Sequence, residues 1–266
     1  MRELRTILLI GCGNMGGAML AGWLAGGFDP ARFTVVDPVL AQAPAGVSLL
    51  RDMPDGPFDA ILLGVKPQLL GEVSSGVARL AGPGTLLLSI LAGVELASLT
   101  ARFPSAAGYV RIMPNLAAAI GKSPIALAAQ GLDEQAKTQV TALMTPLGTP
   151  EWLDENLFDA VTALAGSGPA FVYRFIDALA AGAAALGMAP DQAERLAVAM
   201  VEGAAALASA SPHGPGELAR RVASPGGTTE AGLTVLDADA AMARLAHATL
   251  KAAADRSAAM ARAARG

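Results

Sequence analysis

The chain has 266 residues and a formal net charge of −4 at pH 7, and 53% of it is hydrophobic although only 4% is aromatic. This length suits one large domain or two modest ones, and the acidic balance argues against a nucleic-acid partner. The longest apolar stretch of the second half, residues 178–189, contains glycine and is shorter than the ~20 residues that span a bilayer. The single cysteine, Cys12, suits a reducing compartment. We therefore expect a cytoplasmic protein with no membrane partner.

The first half of the chain alternates apolar runs with stretches of helical spacing. The predicted strands are residues 7–10, 33–37, 58–65, 84–91, 109–113, 123–129 and 150–153. The predicted helices between them are residues 18–24, 68–80, 95–103 and 133–147. Alternation of this kind predicts a mostly parallel sheet with helices on both faces.

The second half is rich in alanine and poor in strand signals. Helices are predicted at residues 158–165, 169–186, 190–210, 215–223, 228–236 and 240–264. Several of them are apolar all round, and such helices need partners on several sides. The sequence thus predicts an α/β Rossmann domain at residues 1–156. An all-α domain at residues 157–266 is expected to form a layer between subunits.

A glycine-rich loop follows the first predicted strand directly. Its sequence is Gly11-Cys12-Gly13-Asn14-Met15-Gly16, which is the G-x-G-x-x-G pattern between a strand and a helix. Gly11 permits the turn, Gly13 lets a pyrophosphate approach the backbone, and Gly16 lets the helix pack against the sheet. The helix N-terminus then offers free N–H groups to phosphates. The pattern predicts a dinucleotide site at Gly11, Gly13, Asn14, Met15 and Gly16.

Other candidate cofactor contacts follow the later strands. Asp37 ends the second strand, where an acid accepts hydrogen bonds from the adenosine ribose and favours NADH. No Lys or Arg follows in residues 38–41 to receive a 2′-phosphate. The carboxyl ends of the next three strands should approach the nicotinamide half, although a surface lysine that caps a helix remains an alternative for Lys66. The candidates at these ends are Val65, Lys66, Pro67, Ser89, Ala92, Gly93 and Asn115.

One segment of the helical half interrupts two helices with a glycine pair and two hydroxyls, Ser224-Pro225-Gly226-Gly227-Thr228-Thr229. Its backbone N–H groups could form a nest for a substrate carboxylate, and a plain turn with N-capping residues is an equally good interpretation. No cluster of Cys, His or acidic residues suggests a metal. The two histidines, His213 and His247, suggest no chemistry either.

Together the motifs resemble the pyrroline-5-carboxylate reductase family, and they run in the family's order over nearly the whole chain. The matching segments are Gly11–Gly16, Val65–Pro67, Ser89 with Ala92-Gly93, Arg111–Asn115, Ala163–Phe171 and Ser224–Thr229. The resemblance implies reduction of the ring C=N of 1-pyrroline-5-carboxylate to L-proline by NADPH or NADH. It also implies a homodimer through the helical domain, and such dimers often assemble further into a decamer.

Carried over residue by residue, the resemblance places the substrate carboxylate at Ser224, Gly227 and Thr228, with Gly226 beside them. It makes Thr229 the partner of the ring nitrogen and the candidate proton donor. Many family members carry Ser, Asn or Arg after the second strand and prefer NADPH, so Asp37 predicts that NADH is used at least as well.

Three other functions are weighed against this one. A β-hydroxyacid dehydrogenase needs a lysine in the helical domain, but none occurs between Lys137 and Lys251, and Val172 stands where it is expected. A non-catalytic dinucleotide-binding protein would not need an intact Ser224–Thr229 segment. A related reductase that acts on another cyclic imine is harder to dismiss, and the sequence leaves it open.

Overall fold

The computed structural model describes residues 4–265, and these form two compact units. The first unit contains the described residues up to Ser167 together with residues 252–265, and the second is Gly168–Lys251. The first unit extends to Ser167, beyond the predicted domain boundary at residue 156. It also includes the end of the last helix.

The first unit is built on an eight-stranded sheet with the order β3-β2-β1-β4-β5-β6-β7-β8. Neighbouring strands are parallel except for the β6/β7 pair. The mostly parallel sheet of the predicted Rossmann domain is thereby confirmed. The strands are β1 (Ile7–Ile10), β2 (Phe33–Val36), β3 (Ser48–Leu50), β4 (Ala60–Leu63), β5 (Leu86–Ser89), β6 (Gly108–Met113), β7 (Ser123–Gln130) and β8 (Gly148–Trp152).

Helices cover both faces of this sheet, as the continuous apolar runs of its strands require. Side chains of β1 alternate between the two cores: Ile7 and Leu9 enter one, and Leu8 and Ile10 enter the other. Helices α1 and α4 pack in the first core, and α2 and α3 pack in the second. The helices of this unit are α1 (Asn14–Ala25), α2 (Leu70–Leu80), α3 (Leu96–Arg102), α4 (Glu134–Met144) and α5 (Phe158–Val161).

The structure departs from the predicted elements at two places that matter for the site. Strand β3 was not predicted, because it has three residues at the edge of the sheet and none of them is buried. The predicted helix at residues 158–165 is α5 followed by a π-helical turn, Thr162–Gly166. Other predicted elements are present with ends shifted by a few residues, as is usual for helix and strand termini.

The second unit is entirely helical. Helices α6 and α7 pack against each other, and many large apolar side chains on them are exposed, among them Val172, Phe175, Leu196 and Met200. Arg174 is exposed and pairs with Asp177 at 2.9 Å. No helix in the described part of the chain is long and apolar enough to cross a membrane. The helices are α6 (Gly168–Ala185), α7 (Pro190–Ala210), α8 (Pro215–Val222), α9 (Thr228–Asp237) and the first part of α10 (Ala241–Arg265).

Candidate active site

The loop Gly11–Gly16, here called the phosphate loop, joins β1 to α1 at the point where the strand order reverses. Ligands of doubly wound sheets bind at such a switch point. Gly11 has a φ of +85°, and a Cβ on it would lie 2.8 Å from the backbone nitrogen of Val65. Only glycine fits there. A Cβ on Gly13 would meet no atom within 4 Å, so the loop is open where a pyrophosphate would approach.

The first turn of α1 completes this cradle. Gly13 is the N-cap residue and no side chain caps the turn, which leaves backbone N–H groups and the positive end of the helix dipole for an anion. A cleft of about 970 Å³ runs from the loop across the ends of β2 and β4. We call it the Asp37 cleft, and its lining includes Gly11, Gly13, Val36, Asp37, Arg51 and Lys66. A dinucleotide fits an open loop, an uncapped helix and a cleft of this size.

Asp37 lies in this cleft but its carboxylate is turned inward. Oδ2 accepts a hydrogen bond from the Cys12 N–H at 2.8 Å, and Oδ1 accepts from the N–H groups of Val39 and Leu40 at 2.9 Å each. Burial would raise the pKa of Asp37, but these three hydrogen bonds and the charge of Arg51 outweigh it, so the pKa is lowered. Asp37 therefore ties the phosphate loop to the turn after β2. A carboxylate has about four acceptor positions, and three of them are used here.

Arg51 lines the same cleft, although the sequence did not point to it. It follows β3, whose parallel register with β2 pairs Leu50 with Val36 and so places Arg51 beside Asp37. Arg51 lies beyond residues 38–41, the turn after the second strand, which contain no Lys or Arg. A signal was present in the sequence, since Ser48-Leu49-Leu50 is a short strand-like run between two turns.

The predicted contacts after β4 and β5 lie at the same edge of the sheet. Lys66 is exposed, lines the Asp37 cleft and precedes a 3₁₀ turn, Pro67–Leu69. Ser89 is fully buried, and its hydroxyl accepts a long hydrogen bond, 3.3 Å, from the Leu91 N–H. Gly93 has a φ of +77°. Ser89 is thus enclosed, whereas Lys66 is placed to meet a ligand.

Asn115 is only 6% exposed, and its amide is used within the first unit. Its Oδ1 accepts from the Ala117 N–H at 2.9 Å, and its Nδ2 donates to the Ala165 carbonyl at 2.9 Å. Ala165 belongs to the π-helical turn, where the usual helical hydrogen bonds are shifted. Asn115 therefore fixes the backbone that leads to the second unit.

The predicted substrate segment, Ser224–Thr229, lies in the second unit between α8 and α9. Two of its N–H groups are used locally: Gly227 donates to the Ser224 carbonyl at 2.9 Å, and Gly226 donates to the Glu230 carboxylate at 2.7 Å. Thr228 and Thr229 open α9 and are exposed. The N–H groups of this first turn point away from the helix body, as in an anion site.

Comparison with known proteins agrees with this architecture. A family model for pyrroline-5-carboxylate reductase dimerisation matches residues 155–260. A pyrroline-5-carboxylate reductase from Pseudomonas aeruginosa is 35% identical over 264 residues, which cover 96% of each chain. One from Glycine max is 35% identical over 88% of this chain and 89% of its own. The structure of a pyrroline-5-carboxylate reductase from Coxiella burnetii superimposes with a TM-score of 0.89 at 28% identity, covering 97% of this chain and 99% of that one.

The mostly parallel sheet with the phosphate loop at its switch point defines a dinucleotide-binding protein of the Rossmann class, here with a helical second unit. The chain is also 35% identical to the Pseudomonas aeruginosa reductase over 96% of both chains, which is enough to assign the family. The chain belongs to the pyrroline-5-carboxylate reductase family.

Proposed function

We propose that this enzyme reduces 1-pyrroline-5-carboxylate to L-proline, the last step of proline biosynthesis, with a hydride from NADPH or NADH. The observation that carries the proposal is the likeness to the Pseudomonas aeruginosa reductase along 96% of both chains. The open phosphate loop at the switch point supports it independently.

The first unit binds the cofactor in this proposal, and the cofactor supplies the hydride. Gly11, Gly13 and the first turn of α1, from Asn14 through Met15 to Gly16, hold the pyrophosphate. Asp37 keeps the loop in shape and meets the ribose through its remaining acceptor position. The other proposed contacts lie at the ends of β4, β5 and β6 and are Val65, Lys66, Pro67, Ser89, Ala92, Gly93 and Asn115.

The second unit binds the substrate. Ser224, Gly226, Gly227 and Thr228 surround the substrate carboxylate, and the Thr229 hydroxyl hydrogen-bonds to the ring nitrogen. The imine becomes electrophilic when its ring nitrogen is protonated, so the chain has only to hold the two rings together and relay that one proton to the nitrogen. Positioning supplies up to ~7–11 kcal/mol in ideal cases, and acid–base assistance is typically worth about 10²–10⁴-fold.

Substitution of Thr229 tests this assignment. Thr229→Ala removes the hydroxyl and is expected to lower kcat by about 10²-fold or more, with little change in the Kd for the cofactor. Thr234→Ala is the matched control, because Thr234 lies on the same helix and its hydroxyl donates to the Glu230 carbonyl. An unchanged kcat in Thr229→Ala would remove Thr229 from the mechanism.

The initial rate of 1-pyrroline-5-carboxylate reduction, followed at 340 nm with NADH and with NADPH, tests the function itself. Turnover with either cofactor supports the reaction. No turnover by protein that still binds the nucleotide would move the assignment to another cyclic imine or to a non-catalytic binding protein.

The proposal extends to assembly and location. Residues 1–156 would form the dinucleotide-binding domain and residues 157–266 the dimerisation and substrate-binding domain.

The exposed apolar side chains of α6 and α7 support a homodimer through the second unit, and a decamer would be built from such dimers. A single buried cysteine and an acidic net charge support a cytoplasmic enzyme without nucleic-acid or membrane partners. Sedimentation velocity at micromolar concentration tests the dimer, which an active monomer would contradict.

A further inference from the structure

Arg51 is held at the mouth of the Asp37 cleft by the backbone of the turn after β2. Its Nη1 donates to the carbonyl oxygens of Asp37 and Leu40, both at 2.7 Å. These bonds use both hydrogens of that nitrogen. The Nε and Nη2 groups donate to no residue in the described chain, and the side chain is exposed. The guanidinium is thus fixed on one side and open on the other.

The two charged groups of this corner face in different directions. The carboxylate of Asp37 is 7% exposed and receives three N–H groups of the protein. Arg51 lies on its solvent side, and its charge lowers the pKa of Asp37. A ligand that enters the cleft beside the end of β2 therefore meets the positive group at the surface, while the negative group is already compensated.

We propose that Arg51 binds the 2′-phosphate of NADPH, so that the enzyme accepts NADPH as well as NADH. The inference builds on the proposed cofactor and names the residue that distinguishes its two forms. An arginine with one edge anchored keeps a planar pair of donors for phosphate oxygens, and its pre-organisation reduces the entropy lost on binding. In this proposal Asp37 accepts from a ribose hydroxyl of NADH, and Arg51 binds the phosphate that esterifies the 2′-hydroxyl in NADPH.

Calorimetry with two nucleotides that lack nicotinamide can distinguish binding of the 2′-phosphate from binding of the rest of the adenosine half. The probes are 2′,5′-ADP, which carries the 2′-phosphate, and 5′-ADP, which does not. Arg51→Gln keeps an N–H donor at this position and removes the charge. It should raise the Kd for 2′,5′-ADP by about 10-fold to 100-fold, the range for hydrogen bonds to a charged partner. The Kd for 5′-ADP should stay within about twofold.

Arg79→Gln is the matched control, because Arg79 is also exposed and lines the same cleft from α2. It should leave both Kd values unchanged. Equal weakening of both probes in Arg51→Gln would show that Arg51 only supports the turn, and no change in either would overturn the proposal as well. Loss of 2′,5′-ADP binding in Arg79→Gln alone would give the role to Arg79 instead.

A second variant, Arg51→Lys, keeps the proposal testable if Arg51→Gln fails to fold. Arg51→Lys keeps the charge but loses the planar fork, so its Kd for 2′,5′-ADP should rise by about threefold to tenfold while that for 5′-ADP does not. Parallel changes for the two probes would again refute the role. Because neither probe reports turnover, an enzyme inactive on 1-pyrroline-5-carboxylate with Arg51-dependent binding of 2′,5′-ADP would lose the proposed function and keep this site.

Discussion

Replacing Asp37 by asparagine tests whether this carboxylate holds the phosphate loop. The carboxylate accepts from the N–H groups of Cys12, Val39 and Leu40. An asparagine has one oxygen and one NH₂ group. In its better orientation the oxygen keeps Val39 and Leu40, and the NH₂ group is turned toward the Cys12 N–H, so one bond is lost and two donors face each other. Hydrogen bonds to charged groups contribute about 1.5–3 kcal/mol, and we expect Asp37→Asn to lower the free energy of unfolding by about 2–3 kcal/mol at pH 7.

The lowered pKa of Asp37 also predicts how the stability difference between wild type and Asp37→Asn changes with pH. Asp37 has a lowered pKa in the folded state, whereas an aspartate in the unfolded chain has a pKa of about 3.9. Its stabilisation is therefore complete above the unfolded pKa and is lost as the pH falls through the folded one. The difference between wild type and Asp37→Asn should be largest near neutral pH and shrink below about pH 4.

Urea unfolding followed by tryptophan fluorescence, at one fixed protein concentration, measures this difference. Asp52→Asn is the control, since Asp52 is an exposed acid in the same cleft, and a change within about 0.5 kcal/mol is expected for it. Two results would refute the reasoning: an Asp37 variant no less stable than the Asp52 variant, or a stability difference that does not vary with pH.

Two further predictions concern groups buried in the first unit. Burial raises the pKa of the Cys12 thiol, so a disulfide reagent at pH 8 should modify the native protein at least about 100-fold more slowly than the urea-unfolded chain; equal rates would contradict its enclosure. Glu155→Ala leaves the Arg111 guanidinium without its 3.0 Å ion-pair partner and the Leu96 N–H without its acceptor. Thermal unfolding should show a loss of about 2–3 kcal/mol, less than a fully buried pair costs because Glu155 is partly exposed; a loss no greater than that in the exposed control Glu151→Ala would contradict it.

The predictable parts of the fold are those that local patterns specify. Strand β1 has the predicted bounds, because a fully apolar run before a glycine loop leaves little choice. Helix α7, Pro190–Ala210, also has its predicted bounds, set by a proline at its start and a serine just after its end. Strand β3 has only a weak local signal, the three-residue run Ser48-Leu49-Leu50. It forms because the edge of β2 offers hydrogen-bond partners, and those partners lie elsewhere in the chain.

The π-helical turn could not be predicted from the local sequence either, because a residue far away in the chain contacts it. Residues 158–165 have helical spacing, yet the chain widens at Thr162–Gly166. The Ala165 carbonyl in this turn accepts from the amide of Asn115, which lies fifty residues earlier. A contact over that distance along the chain leaves no trace in helical periodicity.

Asn115 and Arg51 together show what motif reasoning about a site leaves out. Asn115 belongs to a family motif, and the motif suggested a cofactor contact. Its amide also caps a turn and donates to the Ala165 carbonyl, so Asn115 fixes the backbone here whether or not it meets the cofactor. Arg51 belongs to no motif, yet strand pairing brings it to the cleft with two nitrogens open to a ligand. A motif points to residues that lie near the site. The hydrogen bonds that each residue already makes then show which of its donors and acceptors remain for a ligand.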